Sequence, residues 1–377
     1  MDLALTEDQE LIAKTAADFV KEKSPVSRMR ALRDAKDATG FSRALWKEMA
    51  ELGWVGLAFP EEHGGAGLGF AELAVVLEEL GKTLAPEPFL STVLMGGQGL
   101  LLGGSDAQKQ AWLPRVCSGE AIVTLAHQEA RSRYDVNHVE TRAEKTSAGW
   151  KLTGEKSQVL DGHVADALIV PARTVGAVSD AAGISLFLVT KGAAGLATTR
   201  QTRLDSRGAA IVRLDGVAGE LLGAEGQGAA LLARVIDRAT IGLCAEMLGG
   251  MEQAFALTVE HLKTRKQFDV PIGSFQALKH RAADVFIELE LAKSVVMAAA
   301  RAVDESSDEV AKLASLAKAK CSDAYVLAAN EGVQMFGGVG MTDEYDIGLY
   351  MKRARACELT FGDAAFHRAR WASLGGY

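Results

Sequence analysis

The chain has 377 residues, 48% hydrophobic, 24% charged and 6% aromatic, which suits a folded globular protein and excludes a disordered or fibrous one. Its 41 Lys+Arg against 49 Asp+Glu leave a formal charge of −8 with no basic stripe, so nucleic acid is not the expected partner. The acidic start, MDLALTEDQE, lacks a basic-then-apolar leader and no apolar stretch approaches the ~18 residues of a membrane span, so the expected location is cytoplasmic.

Thr6 and Gln9 have the spacing of a capping box. The helix behind it is expected to bury Leu11, Ile12, Thr15, Phe19 and Val20. A second helix carries Phe41, Leu45, Trp46, Met49 and Leu52, and a third carries Leu73, Val76, Leu77 and Leu80. Between them PEEHGGAGLG, residues 60–69, reads as a glycine-rich turn. Near Ile122 the period changes to alternation, and short apolar runs at 167–170, 185–190 and 211–217 predict an antiparallel barrel or sandwich. After Gly228 the helical period returns in long stretches at 229–263, 275–303 and 309–336, with a shorter one ending the chain. The expected fold class is α+β: an N-terminal helical domain (1–119), a central antiparallel β-domain (120–225) and a C-terminal four-helix bundle (226–377).

Cys117, Cys244, Cys321 and Cys357 form no CxxC or Cys/His spacing, and no His pair sits at i, i+4. No metal site is therefore expected, and the cysteines read as small buried hydrophobes. The chemistry should come from an organic cofactor or from side chains alone.

Three motifs carry a resemblance: LGWVGLAFPEEHGGAGLG (52–69), TRKQFDVPIGSFQALKHRAAD (264–284) and QMFGGVGMTDEYDIGLYMKRARA (334–356). In this order, and with this helix–sheet–helix layout, the chain resembles the acyl-CoA dehydrogenase family. The resemblance implies FAD as cofactor, an acyl-CoA substrate, an oligomer in which FAD spans a subunit interface, and electron-transfer flavoprotein as acceptor. It also implies that Arg265, Gln267 and Phe268 hold the ADP side of FAD and that Gln334, Gly337 and Gly338 meet it from the adjoining helix. An arginine fork suits phosphate oxygens, and paired glycines let backbone approach a nucleotide. Taken singly, Arg265 also reads as a solvated helix-end charge and Gly337-Gly338 as a helix terminator.

The sequence departs from the family on the flavin-ring side. The family's Thr-Glu-Pro-Gly-x-Gly-Ser-Asp loop corresponds to QEARSRYD, 128–135, with Arg131 and Arg133 at glycine positions and Tyr134 for the serine. The family's Trp-Ile-Thr-Asn-Gly corresponds to QVLDG, 158–162, and Asp269 replaces a glycine. Where many relatives place the catalytic glutamate stands Phe361, in Phe361-Gly362-Asp363, and a second family location for the base aligns with Ala239. Asp363 is the candidate base, with Asp237 behind it, although Asp363 also reads as a helix cap. Glu246, on an apolar helix face, reads as a buried acid or as a partner of an arginine across the bundle.

One half of a shared cofactor site is thus retained and the other altered. This favours a subunit that lends its ADP-binding half to an unlike family partner, as in heteromeric bacterial enzymes that include some acting on steroid side chains. The alternatives are a self-sufficient homo-oligomer with a displaced carboxylate base, a non-catalytic acyl-CoA- or flavin-binding scaffold, and a related flavin monooxygenase or oxidase, since those relatives also lack the glutamate.

Overall fold

The computed structural model describes residues 4–377. The N-terminal third holds helices α1 (Glu7–Lys23), α2 (Val26–Asp34), α3 (Arg43–Glu51) and α4 (Phe70–Lys82), a π-helix (Phe89–Gly97), α5 (Gln98–Gly103) and α6 (Asp106–Cys117). Strands β1 (Val123–Leu125), β2 (Arg142–Thr146), β3 (Gly149–Leu160), β4 (Ala167–Arg173), β5 (Ile184–Thr190), β6 (Leu196–Thr202) and β7 (Gly208–Leu222) follow. Then come α7 (Gly228–Thr264), a hairpin of β8 (Lys266–Gln267) and β9 (Val270–Pro271), α8 (Gln276–Asp304), α9 (Val310–Phe336), α10 (Ile347–Leu359) and α11 (Ala364–Leu374). The fold is the expected α+β arrangement of helices, sheet and helices. Among the described residues no helix is long and apolar enough to cross a membrane, and all four cysteines are buried.

By compactness the chain divides into two units. Unit 1 comprises the chain up to Ala31, Phe70–Ala85 and Thr240–Tyr377; unit 2 comprises Leu32–Gly69 and Pro86–Ala239.

In unit 1 the capping box forms as its spacing predicts: the Gln9 amide donates to Thr6 Oγ1 at 3.2 Å and the Thr6 amide to Gln9 Oε1 at 3.1 Å. The buried face of α1 differs from the expected one. It runs through Gln9, Ala16 and Val20, whereas Leu11 is 64% exposed and Thr15 also faces solvent. Gln9 enters the interface because its amide reaches Glu72 of α4 at 2.8 Å, which rotates the face away from Leu11. The short helical stretch expected at the end of the chain is two helices, α10 and α11, broken by a tight turn at 360–363.

Unit 2 is built on a sheet that closes on itself. Its order is β1-β4-β2-β3-β7-β5, with β5 pairing back onto β4 and β6 pairing β7. Most ladders are antiparallel, but β1 pairs β4 in parallel, as does a single β2–β4 contact, which corrects the purely antiparallel expectation. β4 and β5 are buried almost throughout, so their apolar runs stand out in the sequence. β2 and β6 are mostly polar and exposed and give no such run. The second predicted helix is α3, N-capped by the Ser42 side chain, so Phe41 precedes it and Leu52 is its half-exposed C-cap.

In unit 1, α4 and α7 meet backbone to backbone at two glycines. A methyl group added to Gly249 would collide with the Glu78 carbonyl, and one added to Gly81 would collide with the Glu246 carbonyl. Each helix thus lays bare backbone against the other. Gly249→Ala is expected to destabilise unit 1 by more than about 2 kcal/mol in urea denaturation, because overpacking a contact made by backbone cannot be relieved by a rotamer change.

Candidate functional site

The predicted ADP-side residues gather at one end of unit 1. His261, on the last turns of α7, stacks on Phe336 at the end of α9, with ring centroids 4.1 Å apart and planes 12° from parallel. Tyr345 closes edge-on against Phe336 at 5.5 Å. This stack ties the end of α7, which carries Arg265, to the end of α9, which carries Gln334 and leads into Gly337 and Gly338. Burial, then the nearby Arg265 cation, hold the His261 pKa below its ordinary value, so the ring is a neutral platform.

Beyond Arg265 the β8–β9 hairpin turns through two residues, Phe268 and Asp269, both with positive φ (52° and 65°). Such a turn favours glycine, and aspartate tolerates it better than most other residues. Arg265, Gln267, Phe268, Gln334, Gly337 and Gly338 are all exposed, and Phe268 is 85% so. Gly337 has φ 69°, and a methyl group on it or on Gly338 would meet nothing, so this backbone lies open to an incoming group. An exposed guanidinium, an exposed amide and an open diglycine could hold a nucleotide's phosphates.

The turn at 360–363 is held through its backbone. Lys318, fully buried on α9, donates to the Gly362 carbonyl at 2.6 Å, the Glu358 carbonyl at 3.0 Å and Ser322 Oγ at 3.1 Å. His367 Nε2 lies 3.1 Å from the Phe361 carbonyl, which can only accept, so Nε2 carries the proton. Burial, aided by Lys318, pushes the His367 pKa down to about 3 and keeps the ring neutral. Phe361 has φ 63°, a strained value for a bulky residue. Lys318 and His367 were not singled out in the sequence; the one available signal was a lysine in the otherwise alanine-rich face of 314–319.

The candidate carboxylates are engaged elsewhere. Asp363 is the N-cap of α11, its Oδ1 accepting from the Phe366 amide at 2.9 Å. Asp237 and Ala239 are buried, and Ala239 offers no acceptor side chain. Glu246 receives Arg353 Nη1 at 2.9 Å, the paired reading of that residue.

In unit 2 the 128–135 loop is anchored by Glu129. Its carboxylate accepts from the amides of Glu140 (2.6 Å) and Thr141 (3.0 Å), from Thr141 Oγ1 (2.6 Å) and from Lys156 Nζ (2.6 Å). Burial alone would raise the Glu129 pKa, but Lys156 and these donors override it and hold it low. Ser132 Oγ closes the loop on the Glu129 backbone, and Arg131 and Arg133 project into solvent. Arg133 keeps a left-handed φ of 46°, the conformation a glycine there would favour. At the end of β3 and in the turn after it, Gln158 is exposed and Asp161 accepts from Ser91 Oγ at 2.6 Å. Burial raises the Asp161 pKa to about 6.

Asp363→Asn should keep the cap and change stability by less than about 0.5 kcal/mol, whereas Asp363→Ala should lose about 1 kcal/mol. Chemical denaturation of the two variants measures this.

Family models match both helical regions: the acyl-CoA dehydrogenase N-terminal domain over residues 6–120 and the C-terminal domain over 226–373. The chain is 30% identical to mitochondrial isovaleryl-CoA dehydrogenase of Pongo abelii, covering 97% of this chain and 88% of that one. Its structure is similar to butyryl-CoA dehydrogenase of Megasphaera elsdenii, with TM-score 0.93, 27% identity and 100% of both chains covered. It is also similar to a chain of the ChsE4–ChsE5 complex of Mycobacterium tuberculosis, with TM-score 0.89, 30% identity and 99% and 98% covered. The chain belongs to the acyl-CoA dehydrogenase family, whose members are FAD-dependent oxidoreductases.

Proposed function

We propose that this chain is an acyl-CoA dehydrogenase subunit that lends the ADP-side half of an FAD site to an unlike family partner. The partner supplies the flavin-ring pocket and the base for α,β-dehydrogenation of an acyl-CoA thioester. The observation that carries this reading is chemical asymmetry within one chain.

On the ADP side the residues present fit the cofactor. Arg265 offers a fork of donors to pyrophosphate oxygens, Gln267 and Gln334 add amides, and Gly337-Gly338 leaves backbone uncovered for the nucleotide. Phe268, exposed at the hairpin tip, offers an aromatic face to the adenine.

On the ring side they do not fit. The family loop offers small residues and hydroxyls, whereas this loop offers two guanidinium groups. The strand end at which the family carries a tryptophan and a threonine carries Gln158 and Leu160. The base position is filled by Phe361, which has no lone pair for a proton, and Asp363 is spent on its helix cap.

FAD, once bound, supplies the hydride acceptor, and electron-transfer flavoprotein is the expected onward acceptor. In a homo-oligomer every site would pair a fitting half with an unfitting one. A heteromer avoids this, and the similar ChsE4–ChsE5 structure is a complex of two differently named proteins.

The test is to purify the protein alone and after co-expression with an adjacently encoded family member, recording flavin absorbance and its bleaching by acyl-CoA. Flavin and bleaching are expected only in the co-expressed complex, and Arg265→Met should lower flavin retention there at least tenfold. Full flavin and bleaching in the lone protein would establish the self-sufficient reading instead. Flavin in neither preparation would favour the scaffold.

A further inference from the structure

The α4–α7 crossing carries a group of charges that the proposed reaction does not use. Lys82, on α4, lies 2.7 Å from Glu79 and 3.8 Å from Glu78 of the same helix and 3.1 Å from Glu252 of α7. Lys293, on α8, lies 3.5 Å from Glu252. From α10, the Tyr350 hydroxyl donates to the Lys82 carbonyl at 2.5 Å. A cavity of about 250 Å³ opens beside these groups, lined by Glu78, Glu79, Lys293 and Glu290 and by apolar residues including Leu248 and Met297. The residue that α1 contributes to the cavity wall, Ala13, is apolar, and Glu290 of α8 is exposed, so water screens its charge.

Three carboxylates, Glu78, Glu79 and Glu252, thus share two ammonium groups, Lys82 and Lys293. The set balances only when one carboxyl keeps its proton. Glu78 is the one placed to do so, because Glu79 and Glu252 hold the closer contacts to the lysines. Lys82 is nearer to Glu79 and Glu252 than to it.

We propose that this junction is a proton-operated lock: with Glu78 protonated the remaining charges balance and α4 stays seated against the glycines of α7, and loss of that proton leaves an unmatched carboxylate that drives α4 out. The lock lies wholly within unit 1 and is independent of how the FAD site is completed.

Burial, then Glu252, raise the Glu78 pKa from 4.5 to about 8. The folded state therefore binds this proton more tightly than the unfolded state does. The stability it contributes is complete below pH 4.5 and is lost as pH rises through about 8. For one proton the unfolding equilibrium constant rises by up to about tenfold per pH unit across that window.

Glu78→Gln, which mimics the protonated acid, tests the lock. Urea denaturation from pH 6 to pH 9 should show the wild type losing stability relative to this variant. Amide hydrogen exchange, corrected for intrinsic base catalysis, should show α4 losing protection at pH 9 in the wild type and keeping it in the variant. Glu252→Gln should move the wild-type transition to lower pH. Parallel pH profiles for wild type and Glu78→Gln would overturn the proposal. Should Glu78→Gln fail to fold, carbon-13-labelled glutamate in the wild type decides. One side-chain carboxyl titrating near pH 8 supports the lock, and none titrating above pH 7 overturns it.

Discussion

Gly81 and Gly249 let α4 and α7 meet backbone to backbone, and the architecture of unit 1 depends on that contact. It recruits residues 70–85 from the N-terminal third into a unit otherwise dominated by the C-terminal helices. A side chain at either glycine would push α4 outward and leave Leu73, Val76, Leu77 and Leu80, all 4% exposed or less, without the packing they now have. The same closeness brings Glu78, Glu79, Lys82 and Glu252 into one small volume, where an excess of carboxylate is felt strongly because little water separates them.

The groups of candidate residues are treated differently by the fold. The ADP-side residues stay exposed, and the His261–Phe336 stack fixes the helix ends that carry them. The base-position turn is intact as a scaffold, since Lys318 and His367 hold it through the carbonyls of Gly362 and Phe361 and not through the side chain at 361. Backbone anchoring of this kind leaves residue 361 free to change without loss of the turn. The 128–135 loop behaves similarly: Glu129 and Ser132 hold its backbone, and Arg131 and Arg133 project from it. In both places hydrogen bonds hold the backbone and leave the side chains at 361, 131 and 133 outside the anchoring network.

Much of this was legible in the sequence because local signals and tertiary demands agreed. The Thr6–Gln9 box has the spacing of a cap, the long helices after Gly228 keep a helical period, and β4 and β5 are short apolar runs bounded by turn residues. The buried face of α1 departs from the apolar period because Gln9, a polar residue, is drawn inward by Glu72, a contact 63 residues away. β2 and β6 gave no signal because they lie exposed and polar, and the parallel β1–β4 pairing depends on topology that no local pattern encodes. In the site, Asp363 was legible both as a carboxylate and as a cap, and the 2.9 Å bond from the Phe366 amide supports the cap. Lys318 and the Glu129–Lys156 pair escaped because a buried lysine and an exposed one look alike in a sequence.

We propose that each pair of unlike chains assembles one good FAD site from this chain's ADP side and the partner's ring side, and one defective site from the complementary halves. Native mass spectrometry of the co-expressed complex counts the cofactor directly. One FAD per two chains, with none lost on mutating this chain's Arg131 or Arg133, is the predicted result. One FAD per chain would contradict it.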